Sequence, residues 1–152
     1  MVAALAACAG PESLVQRRDY AGATLAPHQQ ATVFAVWDTG DGGLTYLCEI
    51  DGRSYRRTGY PNPCPSVLYV LPGDHRVGVE THRAGRVAVV IVGLRTEAAR
   101  TYEISVDSRP GHAAFYVREM EPGFTLTYRD VAPAYFRKGN RVNAPVDPAN
   151  AD

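Results

Sequence analysis

The chain has 152 residues, with 16 Lys and Arg balanced by 16 Asp and Glu. A formal charge of zero excludes a strongly basic nucleic-acid footprint and an acidic solvating tail. An apolar fraction of 45% and a charged fraction of 21% exclude disorder throughout, and no apolar run reaches the ~18 residues that a membrane-spanning helix needs.

Residues 1–11 carry no charge, and the first charged residue is Glu12. Within this leader, Leu5-Ala6-Ala7-Cys8 resembles the lipobox of bacterial lipoproteins: an apolar residue, two small residues and a Cys. Small side chains beside the scissile bond suit a peptidase that works at the membrane surface. The resemblance implies that Cys8 is the lipidation site, with a diacylglycerol on its thiol and a third acyl chain, such as palmitate, on its new amine. Each buried CH₂ adds roughly 0.8 kcal/mol to such an anchor. It further implies a residual signal peptide over 1–7 and a lipidated N-terminus and tether over 8–24. Ala9 stands where an inner-membrane retention signal would place Asp, so the expected location is the periplasmic face of the bacterial outer membrane. Only seven residues precede Cys8 and none is basic, so the numbered sequence is expected to begin inside a longer signal.

With Cys8 acylated, Cys48 and Cys64 remain as an even pair, as an oxidising compartment favours. A bridge between them would close a loop of about 15 residues and contribute roughly 3 kcal/mol in the chain-entropy model. Two buried free thiols are the alternative.

After the tether, strand signals begin near Ala31. The run 32–37 is β-branched and aromatic, and a glycine-rich loop over 38–43 turns the chain. Leu44, Tyr46, Cys48 and Ile50 alternate with more polar residues, which predicts one apolar face. Asp51-Gly52 signals a tight hairpin into 53–58. The Pro-rich stretch 61–65 breaks the pattern before a strand over 66–71. Pro72-Gly73 turns into a strand in which His75, Val77, Val79 and Thr81 share a face, and Ala84-Gly85 turns again. Residues 87–94 are apolar at nearly every position, which predicts a central strand buried on both faces. Tyr102, Ile104 and Val106 alternate with polar residues. Further strands are expected over 113–119 and 124–129, the latter with Phe124, Leu126 and Tyr128 on one face.

Strand signals spaced roughly 8–14 residues apart, with Gly or Pro at most corners, predict an all-β fold. The expected architecture is an antiparallel immunoglobulin-like β-sandwich of about eight strands over 25–136, with a closed barrel as the alternative. The segment 69–77, through to Arg100-Thr101-Tyr102-Glu103-Ile104, resembles PEGA-type sandwiches and small lipoproteins with a similar β core. That resemblance implies a binding or scaffolding role and transfers no catalytic residue.

The C-terminal segment changes character. Tyr135, Phe136, Arg137, Lys138 and Arg141 mix aromatics and bases, and 137–152 reads as an extended tail. The aromatics would either fold back on the domain or form an interaction strip for an envelope protein or an anionic polymer. Tyr55, Tyr60 and Tyr116 are further candidates for an exposed aromatic patch.

Tests for other chemistry are negative. His75 and His82 differ by an odd number and point to opposite faces of a regular strand, and His28 and His112 fall at strand edges, so no metal is expected. The stretch 38–49 has the length of an EF-hand loop but places Gly40 and Gly42 where carboxylates are needed. No nucleophile motif or phosphate-binding glycine loop is present. No cofactor, no nucleic-acid partner and no enzymatic activity are expected. The leading expectation is a lipid-anchored periplasmic protein with a structural or protein-interaction role at the cell envelope. A carbohydrate- or cell-wall-binding module using Tyr, Phe and the basic tail is the alternative, and a soluble enzyme domain the third.

Overall fold

Short β-branched and aromatic runs between Gly and Pro corners form strands because their side chains suit a pleated, half-buried surface. The computed structural model describes residues 16–36, 43–58, 64–109, 112–131 and 145–151. Its strands are β1 (Gln16–Arg18), β2 (Ala31–Ala35), β3 (Leu44–Ile50), β4 (Arg53–Ser54), β5 (Val67–Val70), β6 (Gly73–Arg83), β7 (Arg86–Thr96), β8 (Thr101–Arg109) and β9 (His112–Glu119). One helical turn, α1 (Tyr128–Val131), and two short 3-10 turns complete the described elements.

Two sheets result, with strand orders β1-β5-β2-β8-β9 and β4-β3-β6-β7. The all-β expectation holds. The pairing is mixed rather than wholly antiparallel: β1 runs parallel to β5, and β2 runs parallel to β8. These partners are remote in sequence, so no hairpin dictates their direction. Where a hairpin signal exists, it is obeyed. Asp51 and Gly52 adopt positive φ between Ile50 and Arg53, and Ala84 and Gly85 do so between Arg83 and Arg86.

One core lies between the sheets. Val33 of β2, Leu68 and Val70 of β5, and Ile104 of β8 meet Leu47 and Ile50 of β3 and Val77 and Val79 of β6 there, all fully buried. A second cluster gathers Phe34, Tyr46, Cys48, Cys64, Val67 and Tyr69 under Leu126, Val131, Val146 and Ala151. Phe34 and Phe124 stack within it, ring centroids 6.3 Å apart.

The structure corrects three sequence expectations. The apolar face predicted for 44–50 is split by a β-bulge between Leu47 and Glu49. The extra residue puts Leu47 and Ile50 together in the inner core, while Tyr46 and Cys48 join the second cluster. Residues 87–94 belong to an edge strand and not to a central one. On β7, Leu94 is buried inward while Val87, Val89 and Ile91 face solvent. Residues 124–129 form no strand. Phe124 and Leu126 cross over the second cluster, and Asp130 accepts from the Thr127 N–H and hydroxyl to turn the chain into α1.

Residues 16–18, inside the stretch expected as a tether, form β1, and Asp19 extends that contact by donating its N–H to the Tyr69 carbonyl at 2.8 Å. Val146 and Ala151, inside the expected tail, are buried.

Candidate functional site

Three places gather polar groups or exposed apolar surface. The first is the corner where β3 approaches the segment entering β5. The bulge turns Cys48 towards Cys64, and the two form a disulfide with Cα atoms 4.9 Å apart. The Leu47 N–H donates to the Pro65 carbonyl at 2.8 Å, so the chain around Cys64 touches both sheets. Beside the bridge, the Arg56 guanidinium approaches the Cys48 sulfur at 3.9 Å and also pairs with Glu80. Glu80, whose side chain is 7% exposed, also accepts from or pairs with His82, and the His82 ring meets Tyr46 edge-on at 5.5 Å. Burial works to raise the Glu80 pKa, but the hydrogen bonds from His82 and Arg56 outweigh it and hold the carboxyl below its ordinary value. A carboxylate held ionised by hydrogen bonds from an arginine and a histidine is a poor general acid, and a sulfur in a disulfide is not a nucleophile. The corner is therefore built as a joint.

Two further ion pairs brace the same half of the molecule. The nearly buried Asp19 carboxylate accepts from Arg53 at 2.6 Å and from the Tyr55 hydroxyl. Burial and that bond push the Tyr55 phenol well above its ordinary range. Tyr55 thus packs against the inner core and does not contribute to a free aromatic patch. His75, expected on the strand face it shares with Val77 and Val79, has a side chain only 11% exposed. Its Nδ1 lies 2.7 Å from Asp51 Oδ2 and its Nε2 2.8 Å from the Leu71 carbonyl. A neutral imidazole has one N–H, so two acceptors favour the imidazolium. Burial alone would lower the His75 pKa, but the bonds to Asp51 and Leu71 raise it.

The second place is a groove of about 260 Å³ on the outer side of the five-stranded sheet. Thr32, Tyr69, Arg100, Thr101, Phe124 and Leu126 are among its lining residues. Arg100 lies 3.4 Å from Glu119, and the Tyr69 hydroxyl donates to Gln16 at 2.7 Å.

The third place is the side where both sheets end, at β7 and β9. Val87, Val89, Ile91, Tyr116 and Val117 are exposed there. Among the described residues, Tyr116 is the one member of the predicted aromatic patch that is exposed. Cys8, the expected lipidation site, the expected interaction strip Tyr135, Phe136, Arg137, Lys138 and Arg141, and Tyr60 lie outside the described residues. No cluster of three or more metal-ligating side chains occurs among the described residues, and no helix among them is long and apolar enough to cross a membrane.

Sequence reading missed the Glu80–His82–Arg56 group and the Asp51–His75 pair. The first had a faint signal, because residues two apart on a strand share a face. The second required knowing that the β3–β4 turn folds onto the start of β6. No protein-family model, no curated protein and no solved structure matches the chain.

Proposed function

We propose that this protein is a lipid-anchored periplasmic protein with a structural or protein-interaction role at the cell envelope. Acyl chains on Cys8 hold it at the outer membrane, and its body is an immunoglobulin-like β-sandwich. The observation that carries this reading is the Cys48–Cys64 disulfide, since such bonds persist in oxidising compartments. The lipobox-like Leu5-Ala6-Ala7-Cys8 supports the anchor. The fold assignment draws support from Tyr102, whose hydroxyl accepts from the Glu97 N–H at 3.0 Å, a contact like the tyrosine corner of immunoglobulin-type sandwiches. The role is non-catalytic: among the described residues the buried carboxylates Asp19 and Glu80 are engaged in ion pairs.

The test is mass spectrometry of the mature N-terminus after expression from the complete gene. A diacylated or triacylated Cys8 at the new terminus is expected, and an unprocessed leader with a free Cys8 thiol would refute the anchor. The groove beside Arg100 favours a second reading, a carbohydrate- or cell-wall-binding module. Its threonine hydroxyls and the Phe124 ring offer hydrogen bonds and a stacking face. Calorimetric titration with soluble peptidoglycan fragments decides it, and an absence of heat sinks it.

A further inference from the structure

The groove on the outer side of the five-stranded sheet is lined by a buried donor without an acceptor. Ala31, Val33, Leu68, Val70 and Tyr102 lie in the inner core. Tyr69, Thr32 and Thr101, neighbours in the strand register, therefore stand in a row on the outer face. Gln30 precedes β2 in extended backbone, lines the groove with that row and is 2% exposed. Its carbonyl accepts from the Ala99 N–H at 2.9 Å, which seats it beside the start of β8. The Tyr20 hydroxyl accepts from the Leu25 N–H at 3.2 Å and donates to Gln30 Oε1 at 2.6 Å. That chain of bonds orients the amide: Oε1 meets Tyr20, and Nε2 has no acceptor among the described residues. A buried donor left unpaired is costly, and an acceptor brought by a ligand relieves the cost.

The other lining residues define the group that carries the acceptor. Among the described lining residues Arg100 alone is charged, and Glu119 answers it at 3.4 Å. The Asp147 carboxylate, between Val146 and Pro148 in the chain, accepts from the Ala149 N–H. The groove is therefore close to neutral and calls for no anion. Phe124 is backed by Phe34 and lines the groove, and Leu126, Val146 and Pro148 extend its apolar wall. A plain sugar covers an aromatic ring with one apolar face and leaves the rest of that wall unmatched. An N-acyl methyl matches it, and the acyl carbonyl supplies the acceptor. An extended peptide docks its backbone on a sheet edge, whereas this floor is a sheet face. At about 260 Å³ the groove falls below the range of about 300–1,000 Å³ that holds drug-sized ligands, so it takes one ring. We propose that the groove binds a single N-acetylated amino sugar, with Gln30 Nε2 donating to the acetamido carbonyl, the methyl against Leu126 and Val146, and the ring over Phe124. The inference rests on the carbohydrate-binding reading above and stands whether or not Cys8 is acylated.

The test titrates the isotope-labelled full chain carrying Cys8→Ser and follows its side-chain amides by nuclear magnetic resonance. N-acetylglucosamine should shift the Gln30 side-chain amide and saturate, and glucose should bind about tenfold more weakly. Gln30→Glu keeps an acceptor for Tyr20 and removes the donor, so the affinity for N-acetylglucosamine should fall about tenfold with circular dichroism unchanged. The shift in the parent chain decides the matter even where that variant fails to fold. Soluble peptidoglycan fragments that bind without moving the Gln30 amide, and that N-acetylglucosamine does not displace, overturn the acetamido site and leave the carbohydrate reading standing. Binding of neither fragments nor sugar sinks both. Equal affinity for glucose overturns the ligand assignment, and so does an equal shift from N-acetylalanine methylamide, which would mark a peptide site.

Discussion

At one side of the molecule the two sheets are joined by the Cys48–Cys64 bridge, by the Leu47–Pro65 hydrogen bond and by Asp19 holding Arg53 and Tyr55. At the other side they end in β7 and β9, with apolar side chains open to water. The joined side keeps its ionisable groups paired and its backbone bulged to fit. The open side keeps a regular ladder, and its edges pair with no strand among the described residues. Stability is therefore concentrated where the chain is closed. Substitutions at the two sides should differ in their cost accordingly.

The largest effect is expected at the joint. Cys48→Ala with Cys64→Ala removes a bridge spanning 16 residues and should cost about 3 kcal/mol, read as a lower denaturant midpoint. Gly78→Ala comes next, because a Cβ there would sit 2.7 Å from the Glu49 Cβ at the bulge. A loss of about 2 kcal/mol is expected, and an unchanged midpoint would mean that the bulge yields freely.

The Asp51–His75 pair should show its worth through pH. His75 is raised, so its contribution is complete below its unfolded pKa and fades as pH climbs through the folded one. Asp51 is lowered, by the bonds from His75 and the Arg76 N–H against the opposing effect of burial. Its contribution holds above the ordinary carboxylate range and fades as pH falls. His75→Gln should therefore lose about 1 kcal/mol in mildly acidic buffer, with the gap to the parent narrowing as pH rises. Thermal melts across that range check the sign.

Smaller effects are expected around β7. Ala84 holds a left-handed φ of 48° at the β6–β7 turn. Ala84→Asn should gain about 0.5 kcal/mol in the thermal melt, since Asn-Gly suits that turn. Val89→Lys should change stability by less than about 0.5 kcal/mol in the thermal melt, as an exposed surface substitution does.

The elements legible in the sequence are those governed by neighbours. Asp51-Gly52 and Ala84-Gly85 specify their turns locally, and the alternation through Val77, Val79, Tyr102 and Ile104 marks the inner face. The Cys48–Cys64 bridge was legible by counting sulfurs. What stayed hidden is non-local. The run 87–94 has the composition of a doubly buried strand, and only the strand order shows that one face is bare. The bulge at Cys48 is invisible because alternation is intact in the sequence, and one extra residue on β3 reassigns the faces. The parallel partners of β1 and β2 lie 51 and 69 residues downstream at Gln16↔Val67 and Thr32↔Thr101, beyond any local signal.

The pairing of β1 with β5 also fixes the point at which residues 1–15 enter the body. β1 is the edge of the five-stranded sheet farthest from β9, about 19 Å away at the usual strand spacing. The eight residues from Cys8 to the start of β1 reach at most about 28 Å when fully stretched. An acylated chain would therefore be leashed close to the lipid by one flank, with the bare flank turned outward.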